Sequence, residues 1–337
     1  MDQWAFFDAL KAGDVKNVYL FHGPEAYIRR SALSALEKKI LMPGLESMNR
    51  TVMSAPSAQA IIENCETLPM MSDYRLIIVR DCALLTAGKA KDEAQDSDAL
   101  SGYLSRVPET TCLVFDMDVQ VDKRKKLAKA LLALPGAVSF DALDDVQLHR
   151  WISQTLKPMG KKMDRVVSDQ LAFTSGRDLT LLHGELLKLA AYVQERDTIT
   201  AQDVEAIATH TAECTIFVMV DALSAGKVRE AFELLSVLLS TGEQRIGILA
   251  MITRHYRQMM HLSAMLAKRE PQGQIAKVLG VPPFALGRLQ KQIGRRGYPQ
   301  LSRCVEQCVQ ADYDIKRGAI REEAALDRLM LLLAQGE

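Results

Sequence analysis

Residues 18–33 read VYLFHGPEAYIRRSAL, and their order decides the fold. The apolar run Val18 to Phe21 has the length and composition of a strand buried on both faces. Gly23 and Pro24 then break it, and a helical pattern with Ile28, Ala32 and Leu33 on one stripe follows. Strand, tight turn and helix in that order are the opening unit of a parallel α/β sheet. Working outward, four further strands are expected at Arg50 to Met53, Leu76 to Val79, Cys112 to Asp116 and Ala137 to Phe140. Each is short and apolar, and the stretches between them are long enough for a crossover helix. Residues 1–140 therefore predict an α/β domain with a parallel sheet.

That layout makes the turn after the first strand the place to test for nucleotide chemistry. A phosphate loop needs glycines, so that backbone amides can wrap the phosphates. It then needs a lysine for the terminal phosphates and a hydroxyl for magnesium. Here Gly23 is present, but Ala26, Tyr27 and Ile28 stand where Gly-Lys-Ser/Thr belongs, and Arg29 and Arg30 fall inside the helix. No working phosphate loop is expected, and no nucleotide-binding, catalytic or metal-binding residue is assigned. Asp116 and Asp118, at the end of the fourth strand, resemble a magnesium-binding acidic pair. Without a phosphate cradle they read as strand-ending structural residues. An ATPase with an unrecognised phosphate site remains the enzymatic rival.

After Phe140 the strand signal disappears and every later segment reads as helix, with starts at Asp144, Thr200 and Ser224 to Gly226. Two all-α domains are expected, 141–212 and 213–337. The first holds a helix from Asp178 to Val193 with one apolar stripe. The second holds longer helices, such as Arg245 to Lys268, and the apolar run Leu326 to Leu333. Thr86 to Asp98 is polar and small-residued and reads as a surface loop.

Composition narrows the function classes. Of 337 residues, 48% are apolar, and 42 basic residues balance 42 acidic ones, so no whole-chain field draws it to nucleic acid. No basic leader or membrane-length apolar run is visible, which predicts a cytoplasmic chain without membrane contact. Six scattered cysteines (Cys65, Cys82, Cys112, Cys214, Cys304 and Cys308) suit neither a disulfide framework nor zinc and read as small apolar residues. The six histidines form no constellation.

Five strings together resemble one family, the delta subunit of the bacterial DNA polymerase III clamp loader. They are VYLFHGPEAYIRRSAL, ETLPMMSDYRLIIVRD (66–81), SGRDLTLLHGELLKLAAY (175–192), MVDALSAGKVREAFELLSVLL (219–239) and DYDIKRGAIREEAALDRLMLLLA (312–334). The resemblance implies a non-catalytic subunit of a DNA-directed DNA polymerase holoenzyme, without a cofactor. Its first domain, 1–140, would be AAA+/RecA-like without a working P-loop, and would bind and open the beta sliding clamp for loading on primed DNA. Its C-terminal collar would join the gamma/tau ATPase subunits and delta-prime.

In that family the clamp contact lies just before the third strand, here Thr67 to Arg75, which implies contact residues Leu68, Met70 and Met71. Apolar side chains on a turn containing Pro69 cannot all face the core, and methionine suits adaptable contacts. Leu68 and Met71 could also cap the domain's own core. Many relatives carry an aromatic residue where Met70 or Met71 stands.

Two basic stretches complete the candidates. Lys123, Arg124, Lys125 and Lys126, with Lys129, open a helix after the fourth strand. They are a possible DNA phosphate contact set against ordinary solvated surface. Pro271 to Val305 has no acidic residue but holds Lys277, Arg288, Lys291, Arg295, Arg296 and Arg303. Its span 274–293 has helix-turn-helix spacing, with Ile275, Leu279, Val281, Leu286 and Leu289 at packing positions. This is the basis of a rival DNA-binding regulator that would place Arg288 and Lys291 near DNA, set against helix packing within a bundle. Arg177, in Ser-Gly-Arg-Asp, resembles a phosphate-sensing arginine but reads as structural, with Asp178 starting a helix.

Overall fold

The apolar runs become strands because they lie in the middle of a sheet. In the computed structural model, which describes residues 1–87, 93–281, 283–294 and 296–335, the chain forms two units, Met1–Asp144 and Asp145–Glu337. The first carries β1 (Val18–His22), β2 (Arg50–Ser54), β3 (Arg75–Arg80), β4 (Thr111–Met117) and β5 (Ala137–Ser139). All are parallel, in the order β2-β3-β4-β1-β5. The expected strands are each present to within a residue or so at either end.

Alternation along each strand divides the core. Tyr19 and Phe21 point to one face, where Phe6 of α1 (Gln3–Lys11) and Phe140 meet them edge to face at ring separations of 5.1 to 5.7 Å. Val18, Leu20, Ile77, Val79, Leu113 and Phe115 point to the other. There they join Ile61 of α4 (Ala58–Cys65) and Leu127 and Leu131 of α6 (Lys126–Leu132) in one buried cluster. The connecting helices are α2 (Ala26–Ile40), the single turn α3 (Glu46–Asn49), α4 (Ala58–Cys65), α5 (Glu93–Tyr103) and α6 (Lys126–Leu132).

Two expectations need correction. Part of the predicted loop 86–98 is helix: residues 93–98 belong to α5, which is anchored by buried Leu100 and Tyr103, while 88–92 lie outside the described residues. Strand pairing also recurs beyond Phe140. A two-residue β6 (Lys162–Met163) pairs in parallel with β7 (Thr198–Ile199), too short a ladder for any hydrophobic period to announce.

The second unit is otherwise helical: α7 (Asp145–Leu156), α8 (Arg165–Ser175), α9 (Leu179–Tyr192), α10 (Ala201–Ile207), α11 (Ala212–Ser224), α12 (Val228–Ser240), α13 (Arg245–Ala267), α14 (Gln272–Leu279), α15 (Pro283–Ile293), α16 (Tyr298–Lys316) and α17 (Glu322–Gln335). Two of the expected helix starts, Asp178 and Thr200, are side-chain caps, whereas α12 starts after Lys227 without one. Asp178 accepts from the amides of Thr180 and Leu181, and Thr200 forms a reciprocal capping box with Asp203. Helix α13 runs through the core, its Ile252, Tyr256, Met259 and Leu262 buried with Val220, Cys304, Cys308, Leu329 and Leu333. All six cysteines are free and buried. No single described helix is long and apolar enough to cross a membrane.

Candidate functional site

In the order β2-β3-β4-β1-β5 the chain changes direction at neighbouring β1 and β4, so the crevice past their carboxyl ends is where an open α/β sheet binds ligands. Here that crevice is closed by the protein's own groups. Pro24 has no amide proton, Gly23 N–H donates to Val119 O at 3.3 Å, and Glu25 N–H donates to Phe140 O at 3.0 Å. Gly23 sits at φ +124°, and a Cβ there would meet Phe140 O at 2.4 Å, so the close approach requires glycine.

Over this turn lies Arg29. Its Nη1 donates to Gly23 O at 2.6 Å and its Nε to Asp116 Oδ1 at 2.7 Å, and both side chains are 8% exposed. Arg80 Nε reaches the other oxygen of Asp116 at 3.3 Å. Beside them, Gln120 Oε1 accepts from His22 Nδ1–H at 3.1 Å, and Gln120 Nε2 donates to Asp141 at 2.8 Å. Burial pushes the His22 pKa down, partly offset by the Gln120 hydrogen bond. Asp116 is thus committed to two arginines, while Asp118 is exposed.

The turn between α4 and β3 has the opposite character. Leu68 is 75% exposed, Met70 56% and Met71 81%, so these residues do not cap the domain's core. Met71 adopts φ +52°, a left-handed conformation that costs a non-glycine residue about 1–2 kcal/mol. The base of the turn is anchored. Asn49, wholly buried, accepts from Met70 N–H at 2.6 Å and donates to Met70 O at 2.9 Å. Arg75 donates to Met48 O at 3.3 Å and to Thr51 Oγ1 at 3.1 Å. Neither Asn49 nor Arg75 carries a sequence signal for this work.

The basic set after β4 is largely paired. Arg124 forks onto Asp122 at 2.8 and 2.9 Å, Lys125 Nζ donates to Ala83 O at 3.1 Å, and Lys126 Nζ meets Asp98 at 2.8 Å. Helix α6 begins only at Lys126, so Lys123 and Arg124 precede it. Exposure of Arg124 and Lys126 leaves these ion pairs weak and exchangeable.

The helix-turn-helix spacing is realised as α14, a left-handed Gly280 and α15. Ile275, Ala276, Leu286 and Leu289 are buried in the bundle core, with Leu279 and Val281 packed against it. Gln292 of α15 is buried, bonded to His255 Nε2 at 2.7 Å and to Phe217 O at 2.9 Å. Arg288 and Lys291 remain exposed, Arg296 donates to Leu333 O at 3.1 Å, and Arg295 and Pro282 lie outside the described residues. Arg177 pairs with Asp145 at 2.6 Å.

A parallel sheet whose ligand crevice is filled by its own groups, carrying an outward apolar turn and followed by helices, defines an open-sheet α/β protein without a phosphate loop. Residues 19–139 match the family described as DNA polymerase III, delta subunit, and residues 213–333 match the DNA polymerase III delta subunit, C-terminal domain. The chain belongs to the DNA polymerase III delta subunit family. It is 26% identical over 330 residues to the DNA polymerase III subunit delta of Bacillus subtilis, covering 96% of this chain and 95% of that one. With the probable delta subunit of Aquifex aeolicus it shares 21% over 276 residues, covering 79% and 76%. The solved structure of the Bacillus subtilis DNA clamp loader delta protein superposes with a TM-score of 0.62 at 25% identity, over 99% of both chains.

Proposed function

We propose that this chain grips and opens the beta sliding clamp, so that the clamp can be loaded on primed DNA, and that it does so without hydrolysing ATP. Leu68, Met70 and Met71 are the contact residues. What carries this reading is their outward presentation: three apolar side chains stand in solvent on a turn whose base is buried and hydrogen-bonded. Burying such side chains in a partner's apolar pocket is favourable by about 1.5–3 kcal/mol each when complete, and a pre-anchored turn loses little entropy on docking.

The non-hydrolysing part rests on the crevice. Arg29 donates to Gly23 and Asp116, and the turn amides of Gly23 and Glu25 already have acceptors, so phosphates would have to displace protein groups. The same reading divides the chain into the clamp-binding domain 1–140, a small helical domain 141–212 and a collar 213–337. The collar is the surface for the gamma/tau ATPase subunits and delta-prime, in the cytoplasm. Lys123, Arg124, Lys125 and Lys126 are offered as a DNA contact, their weak surface pairs exchanging for phosphates.

A pull-down on the purified clamp tests the central claim. The wild-type chain is expected to be retained and the Met70→Ala, Met71→Ala double variant lost, with its unfolding midpoint unchanged because both side chains are exposed. Equal retention of the two proteins would sink the site, and no retention of either would sink the function.

A further inference from the structure

Resting on that reading, we propose that Asn49 is the positioning residue of the clamp-contact turn. By holding both backbone polar groups of Met70, its side-chain amide fixes the angle at which Leu68, Met70 and Met71 are presented. Asn49 ends α3, 21 positions before Met70. It is wholly buried, yet its partners are the backbone of an otherwise exposed turn.

The pairing uses the amide completely. Oδ1 accepts from Met70 N–H at 2.6 Å, while Nδ2 donates to Met70 O at 2.9 Å and to Leu45 O at 3.2 Å. Rotating the amide would set donor against donor and acceptor against acceptor, so this orientation is the one that satisfies all three contacts. Across Leu68 to Tyr74, these two bonds to Met70 are the only hydrogen bonds among the described residues. Met71, next in the chain, stays at φ +52° although a non-glycine residue disfavours it, and such a conformation persists only where its surroundings over-determine it. Asn49 is the group that supplies that constraint. No other side chain of similar size does the same: Asp lacks the donor, Leu lacks both functions, and Gln carries an extra methylene into a filled site.

Three measurements on the full chain separate positioning from simple stability. Amide exchange at Met70 is expected to quicken by at least about tenfold in Asn49→Ala, with the β3 and β4 amides still protected. Clamp affinity is expected to fall by about tenfold in the same variant. That loss should shrink when Asn49→Ala is added to Met70→Ala with Met71→Ala, because Leu68 is then the one contact side chain left for Asn49 to position. Asn49→Asp, nearly isosteric, keeps the fold if the alanine variant does not. Its carboxylate faces two carbonyl oxygens, so it should regain affinity relative to wild type as the pH is lowered and the acid becomes a donor. A Met70 amide that exchanges at the wild-type rate, or an Asn49→Ala loss that persists undiminished without the methionines, would overturn the proposal. If the wild-type chain fails to bind the clamp, the functional reading itself falls, which the exchange data distinguish from a failure of Asn49.

Discussion

Arg29 and Asp116 form a buried ion pair, Nε to Oδ1 at 2.7 Å, where β1 and β4 end, although 87 positions separate them. Removing one partner strands the other as an unpaired charge in a desolvated site. Asp116→Ala is therefore expected to destabilise the first unit by about 3–5 kcal/mol, read as a lower urea midpoint at unchanged slope. It should not create ATP binding, because Gly-Lys-Ser/Thr is still missing. A loss under about 1 kcal/mol would mean that the pair is not what closes the crevice.

Met71 separates stability from binding. At φ +52° glycine carries no Cβ penalty but loses more entropy on folding, so Met71→Gly is expected to be neutral or stabilising by up to about 1 kcal/mol. Clamp affinity should drop at the same time, since an 81% exposed anchor is gone. Thermal melts beside clamp titrations check the pair of outcomes, and affinity equal to wild type would remove Met71 from the contact.

His255 predicts a pH dependence of the helical unit. Burial pulls its pKa from 6.5 down to about 4, with the Gln292 hydrogen bond opposing and Arg254 assisting. A folded value below the unfolded one means that the unfolded chain binds the extra proton between those limits. Stability is then full above pH 6.5 and declines as the pH falls through 4, by up to about 1.4 kcal/mol per unit. His255→Gln should flatten that slope when urea unfolding is followed from pH 7 to 4. An identical slope in the variant would assign the titration elsewhere.

The α14–α15 pair is tested by substituting its two faces separately. Leu289→Ala, 1% exposed in wild type, is expected to cost about 2–5 kcal/mol. Arg288→Ala with Lys291→Ala should stay within about 0.5 kcal/mol of wild type and leave the molecule without a change in sequence-specific duplex binding. Loss of a sequence-specific footprint in that double variant would revive the DNA-reading interpretation.

The sheet was legible because β1, β3 and β4 are buried on both faces and so appear as unbroken apolar runs; edge strand β2, half exposed, was placed as a short run at crossover spacing from them. The first half of helix α5, residues 93–98, reads as loop because EAQDSD has few core-facing residues and almost no amphipathic signal. β6 and β7 are two residues each, below the length at which alternation can be recognised. At the candidate site, the projecting turn could be anticipated from Pro69 and its apolar neighbours. Asn49 could not, since a single asparagine before a strand is indistinguishable from any turn residue.

Local covalent pattern alone determined the strand-turn-helix opening, the missing Gly-Lys-Ser/Thr and the family strings, because each depends on residues within one or two turns of chain. Tertiary structure alone decided that Arg29 reaches Asp116, that Asn49 reaches Met70, and that Leu68, Met70 and Met71 face solvent. Those relationships arise from how parallel crossovers bring distant strand ends together. Sequence periodicity records which residues share a face, whereas which distant group meets that face is settled by packing.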